Sequence, residues 1–301
     1  MSSTLTTPDR TPDRPTPAAP AEPAARFRDL VTAEWVKLWT LRSTYLIVVV
    51  TVLACIAIDV NAVHNDLTYI DHPFVPRGQL LRGATTSSRV LYDPLGSSLN
   101  KIARDLMMIA FGSLGAMTVF GEYSSGLVRT TFAAVPDRRS VVAAKLFVVV
   151  TVTTLAGLAV SAISFFVAQG MLASRHLGLS IGSPGALQAV AAFALIAPVA
   201  AVVGMALAAL IRHAAGSVIA VVGVLLLLPM FFGGDRYKLL KQIGNCMPLT
   251  ALERLKIDPD PALHQDLGKY APTITTAWTV LATWALISAV VALVVVRRRD
   301  V

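Results

Sequence analysis

Apolar runs long enough to cross a lipid bilayer recur along this chain and leave few folds open to it. Val141 to Ala168, Ala186 to Ile211, Ala214 to Phe232 and Thr273 to Val296 are almost wholly apolar. A helix needs about 20 such residues, within a range of roughly 17 to 25, to traverse the hydrocarbon. Tyr45 to Val60 is as apolar but short, and it ends at Asp59 and Asn61. Leu106 to Phe120 is shorter still and crosses only by borrowing Leu99 and Ile102. Charged residues make up 15% of the 301 and hydrophobic ones 55%, whereas a soluble domain carries roughly a quarter charged residues. So little charge cannot solvate a globular surface, and the natural solvent is lipid. The expected fold is all-α: a polytopic membrane protein with about six transmembrane helices and an N-terminal interfacial amphipathic helix. The spans are expected near 44–60, 101–120, 141–168, 186–211, 214–232 and 273–296, all within one domain over 44–301.

Two elements precede that domain. Residues 1–25 are rich in Pro, Thr and Ala and contain no apolar core. They read as a disordered cytoplasmic tail and not as a cleavable signal. Over 26–43, Phe27, Leu30, Val31, Trp35, Leu38 and Trp39 follow the spacing of one helix face. Tryptophans with a basic flank suit a helix in the headgroup plane, with Trp35, Trp39 and Arg42 at the membrane interface. Turn chemistry marks other boundaries. Ser183-Pro184-Gly185 offers Ser183 as a cap and proline in the first turn of the fourth span. Arg212-His213 leaves room only for a tight turn, and Pro198 and Pro229 fall inside spans, where they kink a helix.

Basic residues near the spans orient the chain. With both termini cytoplasmic, the inner flanks carry Lys37, Arg42, Arg138, Arg139, Lys145, Arg212 and Arg297 to Arg299, and the outer flanks carry Lys101, Arg104, Arg175, Arg236 and Lys238. The external loops are then Asn61 to Leu99 and Gly233 to Pro272. Lys101, Arg104 and Asp105 read as interfacial residues that snorkel, or else as a polar pore mouth. The net charge of +8 follows from this orientation and not from nucleic-acid binding, so the bilayer is the partner and no nucleic acid is expected.

Chemical motifs are sparse. The chain has no G-x-x-x-x-G-K-[ST] phosphate loop, so it is not expected to bind a nucleotide or any cofactor of its own. Its five histidines are dispersed, with no ligand spacing for a metal. Gly121-Glu122-Tyr123-Ser124-Ser125-Gly126 is not a nucleophile elbow. Cys55 lies in an apolar run and Cys246 in a polar loop, which disfavours a disulfide. A non-catalytic membrane subunit is expected.

The informative stretch is G-E-Y-S-S-G-L-V-R-T-T-F-A-A-V-P-D-R-R-S-V-V-A-A-K, Gly121 to Lys145, between the second and third spans. Gly126 can end or bend a helix, Pro136 interrupts the next turn, and Leu127, Val128, Phe132 and Val135 supply an apolar face. Arg138 and Arg139 suit the membrane surface. This stretch resembles the type-2 permease family of ATP-binding-cassette (ABC) transporters, in its actinobacterial form, at Glu122, Gly126, Pro136, Arg138 and Lys145. Asp93-Pro94-Leu95-Gly96-Ser97-Ser98-Leu99 and Ala33-Glu34-Trp35-Val36-Lys37-Leu38, followed by Leu41-Arg42-Ser43-Thr44, are similar to two further segments of that family. Asp137 and Gly244 to Leu255 depart from its pattern. The resemblance implies six spans in the plasma membrane, export, and a dimer with a second permease copy or homologue. It also implies a separate ATPase subunit holding ATP and Mg, and coupling through the connector: Glu122, Gly126, Leu127, Val128, Phe132, Val135 and Pro136. Other readings of the residues are a non-transport membrane anchor or immunity protein, and a secondary carrier.

Overall fold

The computed structural model describes residues 26–71, 93–125, 138–232, 237–257 and 270–298, and all regular structure among them is helical. Among the described residues six helical crossings are long and apolar enough to span a membrane. A helix pairs most of its backbone groups within itself, which is why helices are what spans hydrocarbon. Helix α1 (Phe27–Thr40) opens with the Arg26 N–H donating to Asp29 Oδ2 at 3.0 Å. It breaks at Leu41, whose backbone is extended, and α2 (Arg42–Asp71) follows at once. Helix α2 does not end at Asp59 and Asn61, where the polar residues suggested a boundary. Asp59 is fully buried instead, and the helix runs on past it. Short α3 (Pro94–Ser98) is capped by Asp93, which accepts from the N–H groups of Leu95 and Gly96 at 3.1 and 3.0 Å. Helices α4 (Lys101–Ser125), α5 (Arg138–Ala173) and α6 (Ala186–Ile211) form the next three crossings.

The fifth crossing is a composite of α7 (Ala214–Val222), a π-helical turn over Gly223–Leu227, and α8 (Leu228–Phe231). Pro229 lacks an N–H, and the wider π turn falls just before it, where the proline interrupts the helical ladder. The turn between α6 and α7 is as tight as expected. Arg212 adopts the left-handed conformation (φ 57°), and His213 Nδ1 caps α7 by accepting from the Gly216 N–H at 3.1 Å. The start of α6 differs from the sequence expectation. Gly185, left-handed at φ 83°, is the residue before the helix, and no side chain caps it. Ser183 contributes its carbonyl, which accepts from Ala186 N–H at 3.1 Å. The conformation that only glycine adopts freely has set the boundary in place of the serine hydroxyl.

Helix α6 is the axis of the bundle. It packs against α4, α5 and α7, and also against α10 (Pro248–Lys256) and α11 (Ile274–Arg298). Within its apolar window 78% of residues are buried, against 17% for α11. Glycines make this possible. A Cβ on Gly204 of α6 would collide with the Gly112 carbonyl of α4, and one on Gly115 of α4 would collide with the Ala201 carbonyl of α6. Close backbone approach through small residues is how helices associate where lipid removes the hydrophobic drive between them. At Pro198 the same device has a second use. Proline leaves the Ala194 carbonyl, four residues earlier, without its N–H donor. Gly157 of α5 meets that carbonyl so closely that a side chain there would clash. Its Cα hydrogen takes the direction of the missing Cβ and makes a weak C–H···O contact.

The stretch expected as an external loop, Gly233 to Pro272, folds back in its described part. Trp284 of α11 donates from Nε1 to the Cys246 carbonyl at 2.7 Å. Trp284 lies ten residues into α11, about 15 Å along its axis. At the other end of α10, Gln188 near the start of α6 donates to the Leu255 carbonyl at 3.0 Å. Helix α10 therefore runs alongside α11 and α6 from the middle of the bundle to its end. Ala251, Leu252 and Leu255 are completely buried. Helix α9 (Lys238–Asn245) precedes it and sets Gly244 on the Phe232 backbone at the end of the fifth crossing.

The glycine contacts predict that Gly204→Val and Gly157→Val lose stability by at least the roughly 1–3 kcal/mol of core overpacking. Gly170→Ala, with open space around it, should be neutral to within about 1 kcal/mol, the helix-propensity difference. Thermal unfolding of the detergent-solubilised chain separates these outcomes. Equal melting temperatures for all three would contradict the packing.

Candidate functional site

Two polar assemblies are built into this apolar frame, one at each end of the bundle. The first lies at the end that carries α1. The buried stripe of α1 is Leu30, Glu34 and Leu38, one residue per turn. Phe27, Trp35 and Trp39, assigned from periodicity to the apolar face, remain partly exposed. Glu34 is buried because α5 supplies its partner. Lys145 Nζ donates to Glu34 Oε2 at 2.5 Å, and Lys37 Nζ donates to Glu34 Oε1 at 2.7 Å. Lys145 is itself buried, so the start of α5 is held to α1.

Beside this triad a cavity of about 400 Å³ opens between α1, α2, α4 and α5. Leu38, Leu114, Met117, Phe120, Val148 and Val149 give it apolar walls, while Glu34, Lys37 and Lys145 form its charged edge. Its size and its few convergent polar groups are those of a small-ligand pocket.

The second assembly lies at the opposite end, where α3 and the start of α4 meet α2, α5, α6 and α10. Asp59 Oδ1 accepts from Asn100 N–H at 2.8 Å. Its other oxygen and the buried Ser164 hydroxyl of α5 have no hydrogen-bond partner among the described residues. Arg104 is buried and does not snorkel. It binds Asp105 at 2.8 Å from Nη2 and pairs with Glu253 of α10 through Nη1. Lys256, at the end of α10, donates to the Leu99 carbonyl and stands 5.7 Å from the ring centroid of Phe193. Burial, reinforced by the Arg104 charge, pushes the Lys256 ammonium down to about 8 against the pull of Asp59, Asp93 and Asp105. Gln169 of α5 donates to Ser98 at 3.0 Å and accepts from Leu179 N–H at 2.6 Å. These bonds fasten α3, α4 and α10 to the long helices. Lys256 is not legible in the sequence, because its helix reads as loop, and Asp59 reads only as a residue near a span end.

Of the residues assigned from sequence to coupling, Gly126, Leu127, Val128, Phe132, Val135 and Pro136 lie outside the described residues, and Glu122 stands in the last turn of α4. Arg138 begins α5. Trp35 and Trp39 meet with ring centroids 6.0 Å apart at a 55° tilt, and Arg42 and Arg139 are exposed. Arg139 lines a shallow pocket against Val290, Leu293 and Val294 of α11. Among the described residues no cluster of His, Cys, Asp and Glu could hold a metal ion. Compared with known proteins, the chain matches no family model and no curated sequence. The fold defines a multi-pass, all-helical membrane protein whose shape is consistent with transport.

Replacing Glu34 removes the buried carboxylate that Lys145 and Lys37 both meet, and breaking a buried pair costs up to about 3–5 kcal/mol. Glu34→Leu should lower the melting temperature sharply, and Glu34→Leu combined with Lys145→Met should recover most of it. A silent single variant would show that the pair does not hold α1 to α5.

Proposed function

We propose that the chain is the permease subunit of an ATP-driven ABC export system. It would sit in the plasma membrane with both termini cytoplasmic, form the substrate path as a dimer, and be driven by a separate ATPase subunit that holds ATP and Mg. The chain itself is non-catalytic on this reading. The observation that carries it is the Glu34–Lys145 ion pair. Its two members come from separate segments of the resemblance, 111 residues apart, and they join α1 to α5 just beyond the connector. A push on the connector enters α5 at its first turns, and the pair passes it to α1.

The connector from Glu122 to Arg139 would dock on the ATPase. Leu127, Val128, Phe132 and Val135 would fill a groove there, each contributing roughly 1.5 to 3 kcal/mol of burial before ordering costs. Trp35, Trp39, Arg42, Arg138 and Arg139 would hold the membrane surface. ATP binding favours the closed ATPase pair, and that difference in affinity is the source of the conformational bias.

A second reading, a secondary carrier, is favoured by the buried Asp59, Arg104 and Lys256, since ionisable groups within a bundle mark ion pathways. Co-expression with a candidate ABC ATPase subunit distinguishes the two. Phe132→Ala should leave membrane abundance near normal while reducing ATPase co-purification and coupled ATP turnover several-fold. Unchanged association, or degradation of the variant, would remove the docking assignment. Uptake driven by an ion gradient in vesicles lacking the ATPase would favour the carrier.

A further inference from the structure

One peptide group at the α3 end joins two buried charges. The Leu99 carbonyl accepts from Lys256 Nζ, and the N–H on the other side of that peptide, on Asn100, donates to Asp59 Oδ1 at 2.8 Å. Lys256 thus binds the peptide and not the carboxylate. Arg104, the other buried cation here, is engaged by Asp105 and Glu253. Asp59 and Ser164 are fully buried. Helix register sets them side by side. Glu34, just ahead of α2, meets Lys145 early in α5, and Val63 packs with Ala168 and Leu172 farther along, so α2 and α5 run parallel. Asp59 and Ser164 stand one turn before Val63 and Ala168, on the same seam. The Ser164 hydroxyl adjoins the carboxylate without a hydrogen bond to it, and Asp59 Oδ2 has no partner among the described residues.

We propose that Asp59 is a proton-binding site loaded from the α3 end, in which Oδ2–H donates to Ser164 while Oδ1 keeps the Asn100 N–H. A carboxylate inside a bundle with no ion pair is neutralised most simply by a proton. That proton also turns two orphaned oxygens into one hydrogen bond, since a protonated carboxyl donates and a hydroxyl accepts. It is taken from hydronium, forms one O–H bond and leaves nothing oxidised or reduced. The route follows α2. Half-buried Asp66 lies two turns above Asp59 on the same face and accepts from Ser97 of α3, and Ser98 beside it accepts from Gln169 of α5. The titratable groups around Asp59 and Lys256 are Cys55 of α2, whose thiol donates to the Ala103 carbonyl at 3.3 Å, Asp93 ahead of α3, Arg104 and Asp105 of α4, and Glu253 of α10. Helix α6 and the adjoining half of α5 contain none. Loading Asp59 removes one of the carboxylates that favour the Lys256 ammonium, so the proton is read out at α10, whichever energy source drives transport.

Infrared spectroscopy of the full chain in lipid nanodiscs at neutral pH tests this. The wild-type spectrum minus that of Asp59→Asn should show one protonated-carboxyl C=O band, displaced to lower frequency in heavy water. Ser164→Ala should move that band to higher frequency, because the O–H loses its acceptor. The wild type compared with Ser164→Ala carries the same assignment should Asp59→Asn fail to accumulate. Exchanging choline for sodium at constant pH should leave the band unchanged. No band at all would mean an ionised Asp59 with Ser164 as its donor, and would overturn the proposal. A band indifferent to Ser164→Ala would do the same, and a band that sodium abolishes would assign the site to a metal cation instead.

Discussion

Backbone meets backbone around α6, and the rest of the structure depends on that contact. Gly112, Gly115 and Gly204 let α4 and α6 approach until only hydrogens separate them, and Gly157 does the same for α5 at the carbonyl freed by Pro198. In lipid, dispersion and close fit must do what water expulsion does elsewhere. A central helix built of Ala, Gly and Val is therefore more cohesive here than one built of large residues. With α6 enclosed, α4, α5, α7, α10 and α11 take their places around it. Larger side chains fill the remaining interior, as the fully buried Phe111, Phe165 and Phe193 do.

The same frame makes the buried charges tenable. Buried charges lie where helices converge: Glu34 with Lys145 between α1 and α5, and Arg104, which reaches the exposed Glu253, between α4 and α10. Buried pairs contribute little net stability compared with an apolar core, but they penalise any arrangement that separates them. They specify which peripheral helices join the bundle. Elements too short or too polar to insert alone, α1 and α10, are the ones held this way.

The crossings were legible because long apolar runs leave almost no alternative in lipid, and the turn at Arg212-His213 could be read from its shortness. The elements held by partners were not legible. Periodicity picked out Leu30 and Leu38 but omitted Glu34 between them, because a glutamate becomes buried only when a distant lysine meets it. Asp59 looked like a terminus for the same reason, with its partner N–H belonging to Asn100. The segment from Tyr237 to Ile257 carries enough charge to read as a loop, yet its helix α10 hides one face against α6 and α11. The residues that resembled a known pattern, Glu34 and Lys145, proved to touch, which the pattern alone did not say.

The bond between Trp284 and Cys246 fixes more than the position of α10. It places the end of the fifth crossing well below the end of α11, so the lipid on that side faces a wall only 18 residues tall, about 27 Å. On the side of α5 the apolar helix runs 35 residues, far more than a bilayer core of about 30 Å requires. Helix α9, with Leu239, Leu240 and Ile243 exposed beside Lys238, sits on the low rim. A wall of that height falls a few ångströms short of a hydrocarbon core of about 30 Å, and mismatch of this kind costs fractions of a kcal/mol per ångström, set against the close packing that holds the crossing to α6.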